Sequence, residues 1–584
     1  MKYEKRTPEL RLKLEGWRSR FVLVLAMLGF AVLVGRAFYL QGMDTSFLQA
    51  KGEERYARVI EMPASRGPVK DRNGNPLAIS TPVESIWISP DDVEARSAQV
   101  LALARVLDMG GAELRQKIAS KDRQFVYLKR QISPDRAAKV MALRIPGVFE
   151  QREYRRYYPA GAIMAHVVGF TGVDDNGQEG VELAEQARLA GTPGSRRVIR
   201  DRKGRIVEDV ESVRAPRDGE EVDLAVDERL QYLAHRELRA AVAAHHAKGG
   251  SLVILDARTG EILALVNMPD FNPNNRANLM PRETRNRSVT DLFEPGSTMK
   301  PFTIAAALDD GIVKPDTVID TAPGWIRIDG WPIHDSHPHG LLTVSQIIQV
   351  SSNIGTAKIM LREPRERMGT LLRELGFGVA PRIGFPGAAK GLLRPWTEWR
   401  PVEQATIAYG QGISVSLLQL ARAYTVFTND GRLLPLSLLK RDSAPIGKPL
   451  YTARTVHEVT RMLERVVAPG GTAPLAQVPG YRVAGKTGTA LKPENGRYVE
   501  GKYVSSFVGF GPVSDPRFIV AVMIDEPEGL RNFGGDVAAP VFASVMGSAL
   551  RLLSIPPDAP QTLNVKALER GELEANAPGA RAPG

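Results

Sequence analysis

The pattern of apolar and polar positions changes sharply after the first forty residues. An unbroken apolar run covers 21–34 and continues to residue 40 with one charge, Arg36. About twenty apolar residues are enough to cross a bilayer as a helix. Seven basic and three acidic residues lie before the run, which by the positive-inside rule predicts a cytoplasmic segment 1–20. No small-residue cleavage site follows, so we predict an uncleaved signal anchor over 21–40, with a buried core helix as the alternative.

Beyond the anchor, the periodicity predicts two blocks. The first, 42–219, has short mixed elements, among them helices at 98–107 and 134–143. The second, 221–553, begins with a strand and an amphipathic helix, has a helical middle and ends in further strands. Its predicted elements are a strand at 222–226, a helix at 228–244, a hairpin of 251–255 with 261–266, and a strand pair of 505–509 with 518–524. Strands at both ends predict one sheet built from the two ends of the block and covered by a helical lobe.

Composition excludes several classes of protein. The chain has 584 residues, enough for two to four domains, and its single long apolar run excludes a polytopic membrane protein. It has no cysteine, which excludes disulfide scaffolds, cysteine metal sites and a thiol nucleophile. The net charge of +11 favours an anionic neighbour, which could be a membrane surface, nucleic acid or an anionic polymer, and charge alone does not choose among them. The end of the chain, 554–584, is rich in Pro, Ala and Gly and is expected to be disordered.

The first candidate for chemistry is Ser297-Thr298-Met299-Lys300, directly before an Ala-rich helical stretch. On the first turn of a helix, Ser297 and Lys300 would be neighbours on one face. A serine hydroxyl needs a base to take its proton, and a lysine whose pKa burial has lowered can be that base. The motif alone is weak, because Ser437-Leu438-Leu439-Lys440 is a second copy. That copy has a strand-like context with no helix start behind it, so we expect it to be structural.

Two further motifs follow in order. Ser351-Ser352-Asn353 ends a predicted helix at 344–350 with polar residues suited to a loop. Lys486-Thr487-Gly488-Thr489 follows a strand-like segment at 481–484. Its two hydroxyls and its cation suit a carboxylate, and its glycine lets a substrate lie close to the strand. Each motif alone is more often a polar helix end or a surface turn. Their joint order in one exported domain favours an active site.

Ser-x-x-Lys, Ser-x-Asn and Lys-Thr-Gly in this order resemble the penicillin-binding protein and serine β-lactamase superfamily. The segments 66–74, 157–161, 177–182 and 201–205 resemble the N-terminal pedestal motifs of class B penicillin-binding proteins. The segments 293–297, 351–355 and 533–535 resemble the division-type, FtsI-like branch (penicillin-binding protein 3 type). The resemblance implies an α+β chain: one transmembrane helix, an elongated mixed α/β pedestal, and a transpeptidase domain with an antiparallel sheet, flanking helices and an all-helical lobe.

The resemblance implies D,D-transpeptidation, the cross-linking of peptidoglycan stem peptides through an acyl-serine. Ser297 would attack the penultimate D-Ala carbonyl and Lys300 would accept its proton. Ser351 would relay a proton toward the leaving D-Ala. Asn353 would hold a substrate amide, and Lys486 would supply positive potential.

The resemblance also implies the binding contacts. Thr487 and Thr489 would grip the terminal carboxylate, and the backbone N–H groups of Ser297 and Thr489 would form the oxyanion hole. The implied substrate- and β-lactam-binding residues are Ser352, Thr487, Gly488, Thr489, Tyr409 and Phe533. No metal or cofactor is implied.

Two features depart from the branch. Gln411 stands where relatives usually carry a second tyrosine beside the pocket, which removes an aromatic wall. A cluster of histidines, His334, His337 and His339, comes shortly before Ser351. We expect loop residues there rather than a metal site, because no clear ligand spacing accompanies them.

The resemblance predicts a bacterial inner-membrane protein with its catalytic domain in the periplasm, at the division septum. The expected partners are D-Ala-D-Ala donor and amine acceptor peptides, β-lactams, and, through the transmembrane helix and pedestal, a SEDS-family glycosyltransferase and other divisome proteins. Nucleic acid is not expected. The alternatives are an elongation-type class B transpeptidase, a β-lactamase, and a non-catalytic β-lactam sensor or divisome scaffold.

Overall fold

The structure is a computed structural model that describes residues 16–43, 57–93, 97–200, 206–494, 497–529 and 532–559. Most of the predicted cytoplasmic segment 1–20 and of the predicted tail 554–584 lies outside the described residues. So does the pedestal motif at 201–205.

The chain forms helices and strands throughout the described ranges. The α-helices are Gly16–Phe38, Ser97–Leu107, Gly111–Ala119, Pro134–Met141, Ala165–Val168, Gly180–Ala184, Gln186–Leu189, Glu228–Ala244, Pro281–Thr284, Arg287–Thr290, Lys300–Asp309, Val344–Val350, Asn353–Met360, Arg365–Glu374, Pro401–Ile407, Leu417–Ala423, Ala453–Val467, Gly534–Val537 and Ala539–Leu552. The strands are β1 (Ala57–Met62), β2 (Val69–Lys70), β3 (Pro76–Ile88), β4 (Val126–Ile132), β5 (Val148–Tyr157), β6 (Gly194–Arg200), β7 (Ile206–Arg214), β8 (Val222–Asp223), β9 (Gly249–Asp256), β10 (Ile262–Met268), β11 (Val318–Asp320), β12 (Trp325–Ile328), β13 (Trp331–His334), β14 (Leu341–Thr343), β15 (Arg432–Leu433), β16 (Lys448–Pro449), β17 (Ala484–Glu494), β18 (Arg497–Gly511) and β19 (Phe518–Asp525).

The apolar run near the N-terminus forms one continuous helix, Gly16–Phe38. At 1.5 Å per residue its 23 residues extend about 34 Å, enough for the roughly 30 Å hydrocarbon core of a bilayer. None of its residues is buried against the rest of the protein. Among the described residues it is the one helix long and apolar enough to span a membrane, and it agrees with the predicted anchor rather than with a core helix.

The chain divides into two compact units. The first contains 1–64, 82–153 and 192–217. In it β3 pairs with β4 and β5, and three helices pack on that sheet around a small apolar core. Those helices are Ser97–Leu107, Gly111–Ala119 and Pro134–Met141. The strands β1, β6 and β7 form a separate antiparallel sheet.

The second unit contains 65–81, 154–191 and 218–584. Its main sheet has the order β10-β9-β19-β18-β17, and every pair is antiparallel. The first two strands come from the beginning of the unit and the other three from its end, as the sequence predicted. All seven residues of β10, and all of β9 except Asp256, are buried, so both faces of the sheet are covered. The strand β17 is an edge of this sheet, with one side of its backbone hydrogen-bonding groups left for other partners.

Helix caps explain why two helices begin where the sequence predicted. Asp227 accepts hydrogen bonds from the backbone N–H groups of Arg229 and Leu230 and starts the helix Glu228–Ala244. Thr343 and Gln346 form a capping box at the start of Val344–Val350. Both helices have the predicted bounds.

Residues of two pedestal motifs hold the second unit together. Glu182 accepts from Arg66 at 2.5 Å and from Arg156 at 2.6 Å, and all three charged groups are buried. Arg66 also donates to the Gln186 side chain. A buried carboxylate shared by two guanidinium groups is costly to break, because removing one partner leaves a buried charge uncompensated. These buried ion pairs link the segment 65–81 to the segment 154–191.

Candidate active site

Ser297 lies in a 3-10 turn, Gly296–Met299, immediately before the helix Lys300–Asp309. The prediction that Ser297 occupies the first turn of the α-helix is therefore wrong by one turn. Pro301 has no N–H to bond back to Ser297, and the turn closes instead by i+3 bonds such as Lys300 N–H to Ser297 O. Gly296 has φ +55°, a conformation that favours glycine. The turn presents Ser297, half-buried, at a cleft.

Lys300 is fully buried at the start of that helix. Its Nζ donates to the Ser351 carbonyl and, at 3.1 Å, to Ser351 Oγ. In the described site it forms no hydrogen bond to Ser297 Oγ, although unliganded active sites often tighten only with substrate. Burial, and then the nearby charge of Lys486, lower the pKa of Lys300 well below its usual value, while Asp335 partly opposes this. A lysine in this environment gives up its proton more readily than an exposed one, as a general base must.

Ser351 brings the two active-site lysines together. It ends the helix Val344–Val350 in the left-handed conformation, φ 63° and ψ 43°, which is unusual for a residue with a side chain. Lys486 Nζ lies 3.0 Å from Ser351 Oγ, on the same oxygen that Lys300 reaches. A hydroxyl between two amines can accept a proton from one and pass its own to the other. This geometry suits a proton relay.

Lys486 lies on β17 and is fully buried. The predicted strand at 481–484 is misplaced, because β17 begins at Ala484 and carries the whole Lys-Thr-Gly-Thr motif. Desolvation lowers the pKa of Lys486 to about 7. Its Nζ also lies 3.2 Å from Thr487 Oγ1.

The residues after Lys486 form the floor and wall of the cleft. Thr487 Oγ1 is 3.0 Å from Thr472 Oγ1, and Thr489 Oγ1 accepts from the Gly534 N–H. Gly488 is not among the residues that line the cleft, and a Cβ there would be 2.8 Å from the backbone oxygen of Pro295, so a side chain does not fit. A Cβ on Gly296 would lie 3.6 Å from Thr489 N. The backbones that carry Ser297 and Thr489 are therefore neighbours, as a two-donor oxyanion hole requires.

The middle residue of Ser351-Ser352-Asn353 is not part of the cleft surface. Ser352 was expected to bind substrate, but it is 2 % exposed, and its Oγ caps the helix Asn353–Met360. Asn353 likewise begins a helix rather than lying in a loop. Its Nδ2 donates to the His334 carbonyl, and its Oδ1 makes no hydrogen bond to a described residue. A free amide oxygen at the cleft can accept a substrate N–H.

Asp335, which no sequence pattern singled out, organises this part of the site. Its carboxylate accepts from Ser352 Oγ at 2.6 Å, from Asn353 N at 2.5 Å and from Ile354 N at 3.0 Å. A carboxylate at a helix N-terminus satisfies free N–H groups and suits the helix dipole. Asp335 follows β13 directly and lies beside the histidine cluster. The relevant residue of that loop is thus the aspartate between the histidines.

The cleft has a volume of about 450 Å³. It brings together most of the predicted site, and Tyr409, Gln411 and Phe533 lie along its walls. Tyr409 is buried, and burial raises the pKa of its hydroxyl, whereas Phe533 is 58 % exposed. The predicted site residues on the cleft surface are Ser297, Ser351, Asn353, Tyr409, Thr487, Thr489 and Phe533. Lys300 and Lys486 do not line the cleft, but each contacts Ser351 Oγ, which does.

The second Ser-x-x-Lys copy lies elsewhere and forms no site. Ser437 Oγ donates to the Leu439 carbonyl, and Lys440 Nζ donates to the Arg72 carbonyl. The segment pairs by single bridges with other strands and contains no helix start. Of the histidines, His337 lines the cleft and is exposed, and the backbone of His334 holds Asn353.

Comparison with known proteins agrees with this geometry. The family described as "Penicillin binding protein transpeptidase domain" matches residues 250–547, and "Penicillin-binding Protein dimerisation domain" matches 61–224. The chain belongs to the penicillin-binding proteins. It is 45 % identical over 549 residues to the probable peptidoglycan D,D-transpeptidase PenA of Neisseria gonorrhoeae, covering 93 % of this chain and 94 % of the relative.

Two other similarities come from a curated relative and a solved structure. The chain is 40 % identical over 550 residues to the peptidoglycan D,D-transpeptidase FtsI of Escherichia coli K12, covering 93 % of both chains. The structure of the apo TP domain from Burkholderia pseudomallei penicillin-binding protein 3 is 47 % identical with a TM-score of 0.54, covering 58 % of this chain and 98 % of that one. With its one N-terminal apolar helix, this penicillin-binding protein is a single-pass membrane protein.

The contacts of Asp335 give a first prediction. Replacing it by alanine removes three hydrogen bonds from the segment that carries Ser351 and Asn353. We expect acylation by penicillin to slow on the order of tenfold and the protein to lose about 1–2 kcal/mol of stability, as for other lost N-caps. Labelling rates and thermal melting measure the two effects.

The matched control is Asp227→Ala, which removes the cap of the helix Glu228–Ala244 away from the cleft. It should lower stability by a comparable amount and leave the labelling rate unchanged. Equal slowing in both variants would mean that Asp335 acts through general stability alone.

The burial of Lys486 gives a second prediction, about stability. An unfolded lysine has a pKa near 10.4, whereas folding lowers that of Lys486 to about 7. Folding therefore costs free energy at every pH below about 10.4, and the cost grows as the pH falls toward 7. We expect Lys486→Met to raise the free energy of unfolding by about 2 kcal/mol at pH 7 and by much less at pH 10, while activity is lost.

Chemical denaturation at the two pH values measures this difference. Lys440→Met, at an exposed lysine, should change stability by less than about 0.5 kcal/mol at either pH. A Lys486→Met protein that is less stable than the wild type at pH 7 would contradict the expected cost of burying this amine.

Proposed function

We propose that this chain is a peptidoglycan D,D-transpeptidase that cross-links stem peptides during septal cell-wall synthesis through an acyl-serine intermediate, and that β-lactams acylate and inhibit it. The observation that carries the proposal is the convergence of Lys300 and Lys486 on Ser351 Oγ in a cleft that Ser297 and Thr489 also line. The relatives named D,D-transpeptidase cover nearly the whole chain and support the same reaction.

In the first half of the reaction, Ser297 Oγ attacks the carbonyl of the penultimate D-Ala, and its proton passes to the neutral amine of Lys300. The backbone N–H groups of Ser297 and Thr489 stabilise the oxyanion. The C–N bond then breaks, and the leaving D-Ala amine takes a proton through Ser351. Lys486 and the hydroxyls of Thr487 and Thr489 hold the terminal carboxylate of the donor, because cation and hydroxyl groups are its natural partners.

In the second half, the primary amine of another stem peptide attacks the acyl-serine. The same groups work in reverse: the proton of the attacking amine moves through Ser351, and Lys300 returns a proton to Ser297 Oγ. The products are a cross-linked peptide and the free enzyme. Asn353 Oδ1 accepts a donor amide N–H throughout.

The septal role, the periplasmic orientation and the partners belong to the proposal as well. The motif resemblance to the division-type branch supports septal rather than elongation synthesis. The basic residues before the helix Gly16–Phe38 support a cytoplasmic N-terminus, a periplasmic catalytic domain and an inner-membrane anchor. The helix and the pedestal, residues 42–219, are the expected contacts for a SEDS-family glycosyltransferase and other divisome proteins. The basic net charge suits anionic lipid headgroups.

The experiment is incubation of the full-length protein in detergent with a fluorescent penicillin, followed by peptide mass spectrometry and by the lifetime of the label. We expect a long-lived adduct on Ser297. Rapid loss of the label would favour a β-lactamase, and no adduct would favour a scaffold or a sensor without catalysis. Among the described residues that line the cleft, the single carboxylate is Asp536, so no glutamate is placed there to activate a deacylating water.

A further inference from the structure

Glu294, three residues before Ser297, carries a negative charge that no mechanistic step uses. Its carboxylate accepts from the Gly412 N–H at 2.9 Å and from the Tyr498 hydroxyl at 3.0 and 3.1 Å. Two neutral donors thus hold it in one place. Among the described residues no lysine, arginine or histidine forms an ion pair with it.

This carboxylate is partly buried, and burial raises its pKa. A carboxylate that leaves water without a cation loses hydration free energy that neutral hydrogen bonds restore only in part. A cation arriving with a ligand would compensate the charge and gain a charge-assisted hydrogen bond. The environment of Glu294 is therefore suited to a bound cation.

Glu294 does not line the cleft itself but lies beyond the end of it that Ala490 and Leu491 form. Tyr498 is the cross-strand neighbour of Pro493 on β17, four residues beyond Thr489 on the same strand. At about 3.3 Å per residue this is a distance of roughly 13 Å along the strand. Ala490 and Leu491, which lie between, line the cleft. The cleft thus runs from the lysine–threonine motif toward the end where Tyr498 meets Glu294.

The proposed reaction fixes how a donor peptide lies along this cleft. Its terminal carboxylate is held at Thr487 and Thr489, and its scissile carbonyl is at Ser297. The residues before the scissile bond must therefore extend away from the carboxylate grip, along the free edge of β17 toward Tyr498. Two or three extended residues cover most of the roughly 13 Å, and a long side chain covers the remainder.

The donor carries a suitable cation. The acceptor in this reaction is a primary amine on a stem peptide, and donor and acceptor are strands of the same polymer. An uncross-linked donor therefore has the same amine on its own side chain, and at neutral pH that amine is an ammonium ion.

We propose that the Glu294 carboxylate, held by Gly412 and Tyr498, binds the side-chain ammonium of the donor stem peptide and selects donors that still carry it. The inference rests on the proposed function and names a specificity contact for it. A donor whose amine has already been consumed in a cross-link loses this contact. Uncross-linked peptides are therefore preferred as donors.

The test uses two synthetic stem pentapeptides that end in D-Ala-D-Ala and differ only in acetylation of the side-chain amine. Each competes with a fluorescent penicillin for the full-length protein in detergent. We expect the ammonium peptide to halve the labelling rate at about a tenfold lower concentration than the acetylated peptide, as one charged hydrogen bond allows. In Glu294→Gln, which keeps an acceptor for Gly412 N–H, the two peptides should differ by less than about twofold.

The matched control is Glu500→Gln, which removes an exposed carboxylate from the same hairpin and should keep the full preference. Tyr498→Phe keeps the charge but removes one of its two donors, and it should reduce the preference to about threefold. This second variant keeps the inference testable if Glu294→Gln fails to fold, in which case the penicillin label is absent without any peptide.

Three results would overturn the inference: equal competition by the two peptides in the wild type, no competition by the ammonium peptide, or an unchanged preference in Glu294→Gln or in Tyr498→Phe. Failure of the proposed function looks different. In that case penicillin itself forms no adduct on Ser297 in the wild-type protein.

Discussion

Ser297→Ala forms no covalent adduct with penicillin and releases no D-Ala from a donor peptide. The reason is that Ser297 is the cleft hydroxyl on the 3-10 turn whose backbone neighbours Thr489, whereas Ser351 Oγ, the hydroxyl beside Lys300, is held between the two lysines. Loss of a nucleophile that acts as one unit with its base costs at least about 10⁴ in rate. Intact-mass spectrometry and a D-Ala release assay measure the two effects.

The second Ser-x-x-Lys copy supplies the control for this result. Ser437→Ala deletes a serine of the same motif spacing whose hydroxyl bonds to the Leu439 carbonyl, and it should be labelled at the wild-type rate. Since Ser297 donates no side-chain hydrogen bond to a described residue, its replacement should leave thermal stability nearly unchanged. An adduct that survives in Ser297→Ala would place the nucleophile elsewhere and refute the mechanism.

Lys300 is expected to show the second-largest effect. We expect Lys300→Met to slow acylation on the order of 10³-fold, within the range of a lost general base. Lys300→Arg should slow it similarly, because a guanidinium does not give up its proton and so keeps the charge without the base. Together the two variants distinguish the loss of a general base from the loss of a positive charge.

The pH dependence sharpens this test. Since burial and the nearby Lys486 charge lower the pKa of Lys300 well below its usual value, its neutral form appears at a lower pH than for an exposed lysine. Acylation by the wild type should rise with pH as Lys300 loses its proton, and that rise should be absent in Lys300→Met. Because Lys300 and Lys486 interact, the apparent pKa of the profile belongs to the pair. A rise that persists in Lys300→Met would assign the titrating base to another residue.

Local patterns in the sequence were sufficient to predict much of the fold. The helices Glu228–Ala244 and Val344–Val350 have the predicted ends. Asp227 and Thr343 are N-cap residues of types that can be recognised in a sequence. The sheet with strands from both ends of the unit was also predicted correctly. The start of β17 was missed, since an edge strand with Lys, Thr and Gly lacks the apolar alternation that marks a strand in a sequence.

The active site was predictable as three motifs but not as a geometry. Motif order singled out Ser297, Ser351 and Lys486 as candidates, whereas only the fold shows that both lysines meet on Ser351. Asp335 gave no signal, and Glu294 appeared only as part of the family motif 293–297 with no role of its own, because an acidic residue in a loop resembles any solvated one until its partners are known. The buried position of Ser352 was missed for the same reason: its hydroxyl is held by Asp335, 17 residues earlier.

The order of strands in the main sheet bears on how this protein is made. Gly249–Asp256 pairs directly with Phe518–Asp525, which is synthesised about 270 residues later. Until that late strand has been synthesised, the apolar β9–β10 hairpin has an open edge that can pair with other chains. A chain that ends before residue 518 therefore lacks the strand that joins β9 to β18, and with it the sheet that holds β17 beside the Ser297 turn. The site can therefore form only when synthesis of the domain is nearly complete.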